Sequence, residues 1–218
     1  MCQTSPVNLF MERKKMFVIK SKSIKTELYR KAVHLSSLWM PVLILLCSQN
    51  FCIILFFSLL AFNLLAEYSA YRKTTIVGTL FRKMFIKTLR HKEVNADVFV
   101  PSGSVYILAA ALFVSVCFST KAAAAAMCIV LIADSNAALV GKLWGKFRFS
   151  NGKSVEGTTA FFISAVFVCL FFFPLISPVM IYVTAILATS AEFFEKKIGI
   201  DDNLSIPLVS GFVLNLIV

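Results

Sequence analysis

Charged side chains are scarce in this chain: Asp, Glu, Lys and Arg make up 15% of its 218 residues, against 59% apolar types. Soluble domains carry about a quarter charged residues, so a soluble globular fold is excluded. Acids are the scarcer sign, 11 against 22 bases, which leaves a net charge of +11. The bases lie between apolar runs, as topology signals do, and no nucleic-acid partner is expected. No CxxC pair occurs among the six cysteines, which mostly sit inside apolar runs and read as inert buried thiols. Internal repeats are also missing, which leaves one membrane domain.

What the chain does have is apolar runs of roughly 15–20 residues, the length that crosses a hydrocarbon core. Most lack the polar stripe of a soluble core helix. The sequence predicts an all-α, polytopic transmembrane bundle of about seven spans, at 33–48, 51–68, 104–118, 122–140, 158–173, 178–194 and 204–218. Pro41 is read as tolerated inside the first. Residues 1–25 read as a basic cytoplasmic tail rather than a secretory signal, and 26–218 as a single transmembrane domain. Within 71–100, Arg72, Lys73, Arg82, Lys83, Lys87, Arg90 and Lys92 interleave with apolar residues at helical spacing, which predicts an amphipathic segment on the membrane surface.

A seven-span chain puts 21 of the 22 Lys and Arg residues on one side, with Lys121 alone on the other. The positive-inside rule makes the basic side cytoplasmic. All eleven acids fall on or beside that same side. Some of them read as solvated helix ends. Asp134 does not, because it follows the apolar stretch 127–133, where an ionised group is costly unless paired or ion-bound.

Asp134, Ala138, Gly141 and Gly145 share one helical face, with Lys142 and Lys146 beside it. The small residues suit close helix packing. The acid and lysines add what a nucleotide's metal and phosphates need. The block is not a Walker A loop, because the glycine spacing fails and no Ser or Thr follows Lys146. Lys153, Glu156 and Gly157 lie at the next helix start, where free N–H groups favour phosphate or a plain cap. Asp201-Asp202-Asn203 heads the last span, as an N-cap or a second metal site. Arg30 and His34 are i, i+4 neighbours on the first helix, with Lys31 read as an interface anchor; Asn63 and Glu67 form another such pair. Five spans thus bring polar groups to one face, where a charged soluble substrate meets a lipid.

These motifs resemble the polyprenol kinase family, which includes dolichol kinase, phytol and farnesol kinases and CTP-dependent diacylglycerol kinase. The likeness rests on Arg30-Lys31-x-x-His34, Asp134…Gly141…Gly145-Lys146, Lys153-Ser154-x-Glu156-Gly157-Thr158 and Asp201-Asp202-Asn203-x-x-Ile206-Pro207, in that order. It implies phosphoryl transfer, commonly from CTP with Mg²⁺, to the hydroxyl of a membrane-dissolved alcohol. Asp134, Glu156 and Asp202 are then the candidate catalytic residues, and Asp134, Asp201 and Asp202 the candidate metal ligands. Arg30, His34, Gly141, Lys142, Gly145, Lys146, Lys153 and Gly157 would contact nucleotide or phosphate, with Asn63, Glu67 and Asn203 as further polar site residues. The partners are a membrane lipid and a nucleotide, at the cytoplasmic face of a bacterial inner membrane or the endoplasmic reticulum. The related phosphatidate cytidylyltransferases are the alternative, but their C-terminal His-Gly-Gly signature is missing, since no His follows His91. An ion-coupled transporter, with Asp134 and Glu67 as relays, ranks lower because the ionisable residues gather at one face rather than at mid-membrane.

Overall fold

The computed structural model describes residues 24–72 and 99–216. Most of the N-terminal tail and of the amphipathic segment lies outside those residues. Every regular element described is a helix, in keeping with an all-α membrane protein. In chain order these are α1 (24–36), α2 (Trp39–Leu46), α3 (Gln49–Arg72), α4 (Gly103–Cys117), α5 (Thr120–Leu143), α6 (Val155–Phe172), α7 (Pro178–Phe193), α8 (Glu195–Ile198) and α9 (Asp202–Asn215). Helices α3, α5 and α6 are long and apolar enough to cross a membrane, and α4 and α7 are shorter apolar helices.

Helix α5 is the axis of the bundle and touches α2, α4, α6 and α9. In its most apolar stretch 67% is buried, against 22% for α3, which lies at the edge on α4. The five alanines Ala122–Ala126 explain the difference, since they favour helix and let neighbouring backbones approach. Outward-facing Phe57, Phe62 and Leu65 on α3 and Phe167 and Phe171 on α6 give the bundle the apolar exterior that lipid solvates.

The predicted first span is not one helix. Residues 37–38 break it, leaving α2 only eight residues long. At 1.5 Å per residue, α2 covers about 12 Å of a core roughly 30 Å thick. Pro41 supplies the reason: it donates no N–H and its ring crowds the carbonyl four residues back, that of Ser37. The chain tightens there into i→i−3 bonds, Ser37 N–H to the His34 carbonyl at 3.1 Å and Leu38 N–H to that of Leu35 at 3.0 Å.

Several helix starts carry side-chain caps. Ser102 accepts from Ser104 N–H on α4, Ser154 from Gly157 N–H on α6 and Asp201 from Asn203 N–H on α9. Inside α5, residues Ile129–Ala133 form a π-helical turn that ends at Asp134. Such turns release the regular i→i−4 bonding pattern and are frequent at functional sites.

Candidate functional site

Asp134 is buried on the central helix, and its carboxylate meets α1. Lys31 Nζ lies 2.5 Å from Asp134 Oδ2, and His34 Nε2 lies 3.7 Å from the same oxygen. His34 Nε2 is also 3.3 Å from the Val130 carbonyl, which belongs to the π turn. A ring nitrogen facing a carbonyl must carry the proton, so Nε2 is the donor and Nδ1 is the acceptor in the neutral ring. Arg30 points elsewhere: it pairs with Glu27 at 3.2 Å, and Glu27 also reaches Lys142 at 3.5 Å. The buried cation at Asp134 is therefore Lys31, which the i, i+4 reading of Arg30 and His34 passed over. Lys31 precedes His34 by three residues, the other spacing that shares a helix face.

Lys153 anchors a second group of charges. Its Nζ lies 2.6 Å from Glu192 Oε1 and 3.8 Å from Glu195 Oε2, and it also donates to the Glu192 carbonyl. The loop before α6 is held for this purpose by Asn151, whose side chain accepts from Lys153 N–H at 3.0 Å and donates to the Phe193 carbonyl at 2.9 Å. Glu192 is buried in the last turn of α7. Neither Glu192 nor Glu195 was marked by sequence as a site residue.

The third group can hold a cation. One carboxylate oxygen each from Glu195, Asp201 and Asp202 lies within 4.8 Å of the other two. Hard oxygen donors of this kind suit Mg²⁺. Among the described residues Asp134 is not part of this set; its carboxylate is engaged by Lys31. The groups still form one electrostatic unit. Asp202 feels the charges of Asp134, Glu195 and Asp201, opposed by Lys31, and Asp134 also feels Lys153.

The remaining predicted residues lie around this centre. Gly141, Gly145 and Gly157 pack about Ser154, where α5 meets α6. A methyl at Gly141 would lie 2.8 Å from Ser154 Oγ, and one at Gly157 2.8 Å from the Ala137 carbonyl oxygen. Glu156 accepts the Lys146 N–H at 2.9 Å, which ties the turn after α5 to the start of α6; the Lys146 side chain is exposed. Glu67 is buried and accepts from Ser102 N–H at 3.0 Å and from the hydroxyls of Ser102 and Ser104. Asn63 donates to Ser104 Oγ at 3.1 Å. This knot leads back to the acids through Gly103, whose added methyl would lie 3.2 Å from Asn203 Nδ2. Asn203 in turn donates to Asp201 Oδ1 at 2.8 Å.

No family model matches the chain, and no solved structure matches it. An uncharacterized protein of Rickettsia prowazekii is 31% identical over 194 residues, 87% of this chain and 94% of that one. The chain belongs to the family of that Rickettsia protein. An uncharacterized protein of Methanocaldococcus jannaschii is 40% identical over 88 residues, 40% of this chain and 44% of its own. A more distant link runs to the CTP-dependent diacylglycerol kinase 1 of Schizosaccharomyces pombe, 25% identical over 154 residues, which cover 63% of this chain and 68% of the yeast protein.

Proposed function

We propose that the chain is a nucleotide-dependent lipid-alcohol kinase, with CTP as donor and diacylglycerol, a polyprenol or a phytol-like alcohol as acceptor. The observation that carries this reading is the cluster of carboxylates and lysines at one end of an apolar bundle, buried Asp134 with Lys31 and buried Asp202 with half-buried Glu195 and Asp201. The distant likeness to the yeast kinase supports both the reaction and the donor.

A divalent cation held by Glu195, Asp201 and Asp202 would neutralise donor phosphate charge. Lys153 and Lys31 carry fixed positive charge beside it, aimed where charge develops as the phosphoryl group moves. Asp134 and Glu156 each spend one carboxylate oxygen, on Lys31 and on the Lys146 N–H, and Asp134, which shares its field with both Lys153 and Asp202, is the candidate to take the alcohol's proton. The alcohol oxygen forms the new bond to phosphorus, the bond from phosphorus to the bridging oxygen breaks, and the nucleoside diphosphate leaves. The lipid chain stays in the bilayer against the outer apolar faces, and the reacting end meets the site from the cytoplasmic side.

Purified protein in lipid nanodiscs, given labelled CTP or ATP and Mg²⁺ with diacylglycerol, polyprenol, phytol or phosphatidic acid, tests the reading. A phosphorylated alcohol with a nucleoside diphosphate supports it. A CDP-lipid with pyrophosphate would overturn it in favour of a cytidylyltransferase.

A further inference from the structure

A cavity of about 270 Å³ opens beside the acid cluster. Val100, Pro101 and Tyr106 form one wall, and Lys196, Gly199 and Ile200 form the other. Glu195 and Asp201 belong both to this lining and to the three carboxylates that can hold a cation. We propose that the cavity takes the nucleoside of the phosphoryl donor, with the polyphosphate leading out past Glu195 and Asp201. This rests on the kinase reading above and assigns the donor's place within it.

The position of the walls favours a water-soluble ligand. Val100 and Pro101 precede α4, and Gly199 and Ile200 join α8 to α9, so the cavity sits among connections at the end of the bundle. Most of the apolar surface available to lipid lies elsewhere, along α2, α3, α6 and α7. The volume also fits. It lies just below the roughly 300–1,000 Å³ of drug-sized ligand pockets and leaves no room for a long acyl chain.

The walls are chemically suited to a flat, polar ring. Val100, Pro101 and Ile200 offer apolar surface for its faces. Tyr106 adds a phenol that can stack or hydrogen-bond. Both walls are anchored. Phe99, next to Val100, packs edge-on against Tyr68 at 5.7 Å and Tyr71 at 5.8 Å. Lys196 Nζ donates to the Asn151 carbonyl at 2.7 Å, and Asn151 orients Lys153. A nucleoside seated here would place its phosphates between the carboxylate cluster and the Lys153 side of the site.

The test fills the cavity from either wall, with Ile200→Trp and Val100→Trp, and trims its aromatic with Tyr106→Ala. In nanodiscs, CTP is titrated at saturating lipid and lipid at saturating CTP. Each variant should raise KM for CTP by about tenfold or more, with kcat and the lipid KM within about twofold, the pattern of lost ground-state binding. Tyr106→Phe should retain most of the affinity. A rise in the lipid KM instead, or no change in either KM for a folded variant, would overturn the assignment. Equilibrium binding of labelled CTP with Mg²⁺ and no lipid separates the two claims. Wild-type protein that binds no nucleotide sinks the kinase reading itself, whereas wild-type binding that all three variants keep sinks only the cavity assignment.

Discussion

Lys31 Nζ and Asp134 Oδ2 lie 2.5 Å apart, joining two buried side chains 103 positions distant in sequence. This pair pins α1 across the central helix at the point where the π turn ends. Removing one partner of a buried ion pair leaves an uncompensated charge, which costs about 3–5 kcal/mol. Lys31→Met and Asp134→Asn should therefore each lower the thermal midpoint in detergent, the former more because it leaves a carboxylate. The double variant Lys31→Met/Asp134→Leu should recover most of the lost stability and no turnover. If Lys31→Met alone matched wild type in both readouts, the pair would have neither structural nor chemical weight.

His34 is expected to act by position. Its Nε2 donates to the Val130 carbonyl, so the ring is fixed beside Asp134 Oδ2. Loss of one such hydrogen bond costs about 0.5–1.5 kcal/mol. His34→Ala should lose that much stability but at least about tenfold in kcat, because the group beside the proposed proton acceptor Asp134 is lost as well. His34→Gln, which can still donate to a carbonyl, should restore part of kcat. Equal loss in both variants would argue that the ring itself touches substrate.

Much of the fold is legible in the sequence, and the reason is solvent. Apolar runs long enough to cross a bilayer have few other uses, so α3, α5 and α6 stand out from length and composition alone. The gathering of acids at one end is legible for the same reason, and Asp134 is marked by the cost of burying it. The pairing is not legible. Lys31 looks like a basic interface anchor until α5 brings Asp134 to it, and nothing in sequence marks Glu192 until Lys153 arrives from 39 positions away. The break at residues 37–38 was knowable from Pro41 but depends on whether neighbouring helices compensate the lost bond. The glycines read both ways in sequence. In three dimensions Gly141 and Gly157 sit where α5 and α6 touch.

That contact yields a prediction that separates packing from chemistry. Gly157→Ala puts a methyl 2.8 Å from the Ala137 carbonyl oxygen, a backbone atom that cannot swing away. Overpacking of this kind costs about 1–3 kcal/mol. The thermal midpoint should fall, while the KM for CTP of the surviving folded protein should stay near wild type. A KM rise without a stability loss would instead place Gly157 against the nucleotide.

The last prediction separates the cation site from the other carboxylates. Glu195, Asp201 and Asp202 bring their oxygens together, whereas Glu156 spends an oxygen on the Lys146 N–H. Removing one ligand of three should weaken divalent-cation binding much more than changing a carboxylate outside the cluster. Glu195→Gln and Asp202→Asn should shift half-saturation by Mg²⁺ upward by about tenfold or more, the range seen when groups supporting a metal are lost. Glu156→Gln, whose amide oxygen can still accept the Lys146 N–H, should leave both the Mg²⁺ dependence and the thermal midpoint near wild type. The two acids of the cluster differ in one further respect. Asp202 is buried and Glu195 half-exposed, so Asp202→Asn removes charge from a crowded interior and should raise stability as it lowers turnover. Opposite signs for stability and activity at one residue mark a group retained for function. A Glu195→Gln protein with unchanged Mg²⁺ dependence would show that the third ligand lies elsewhere.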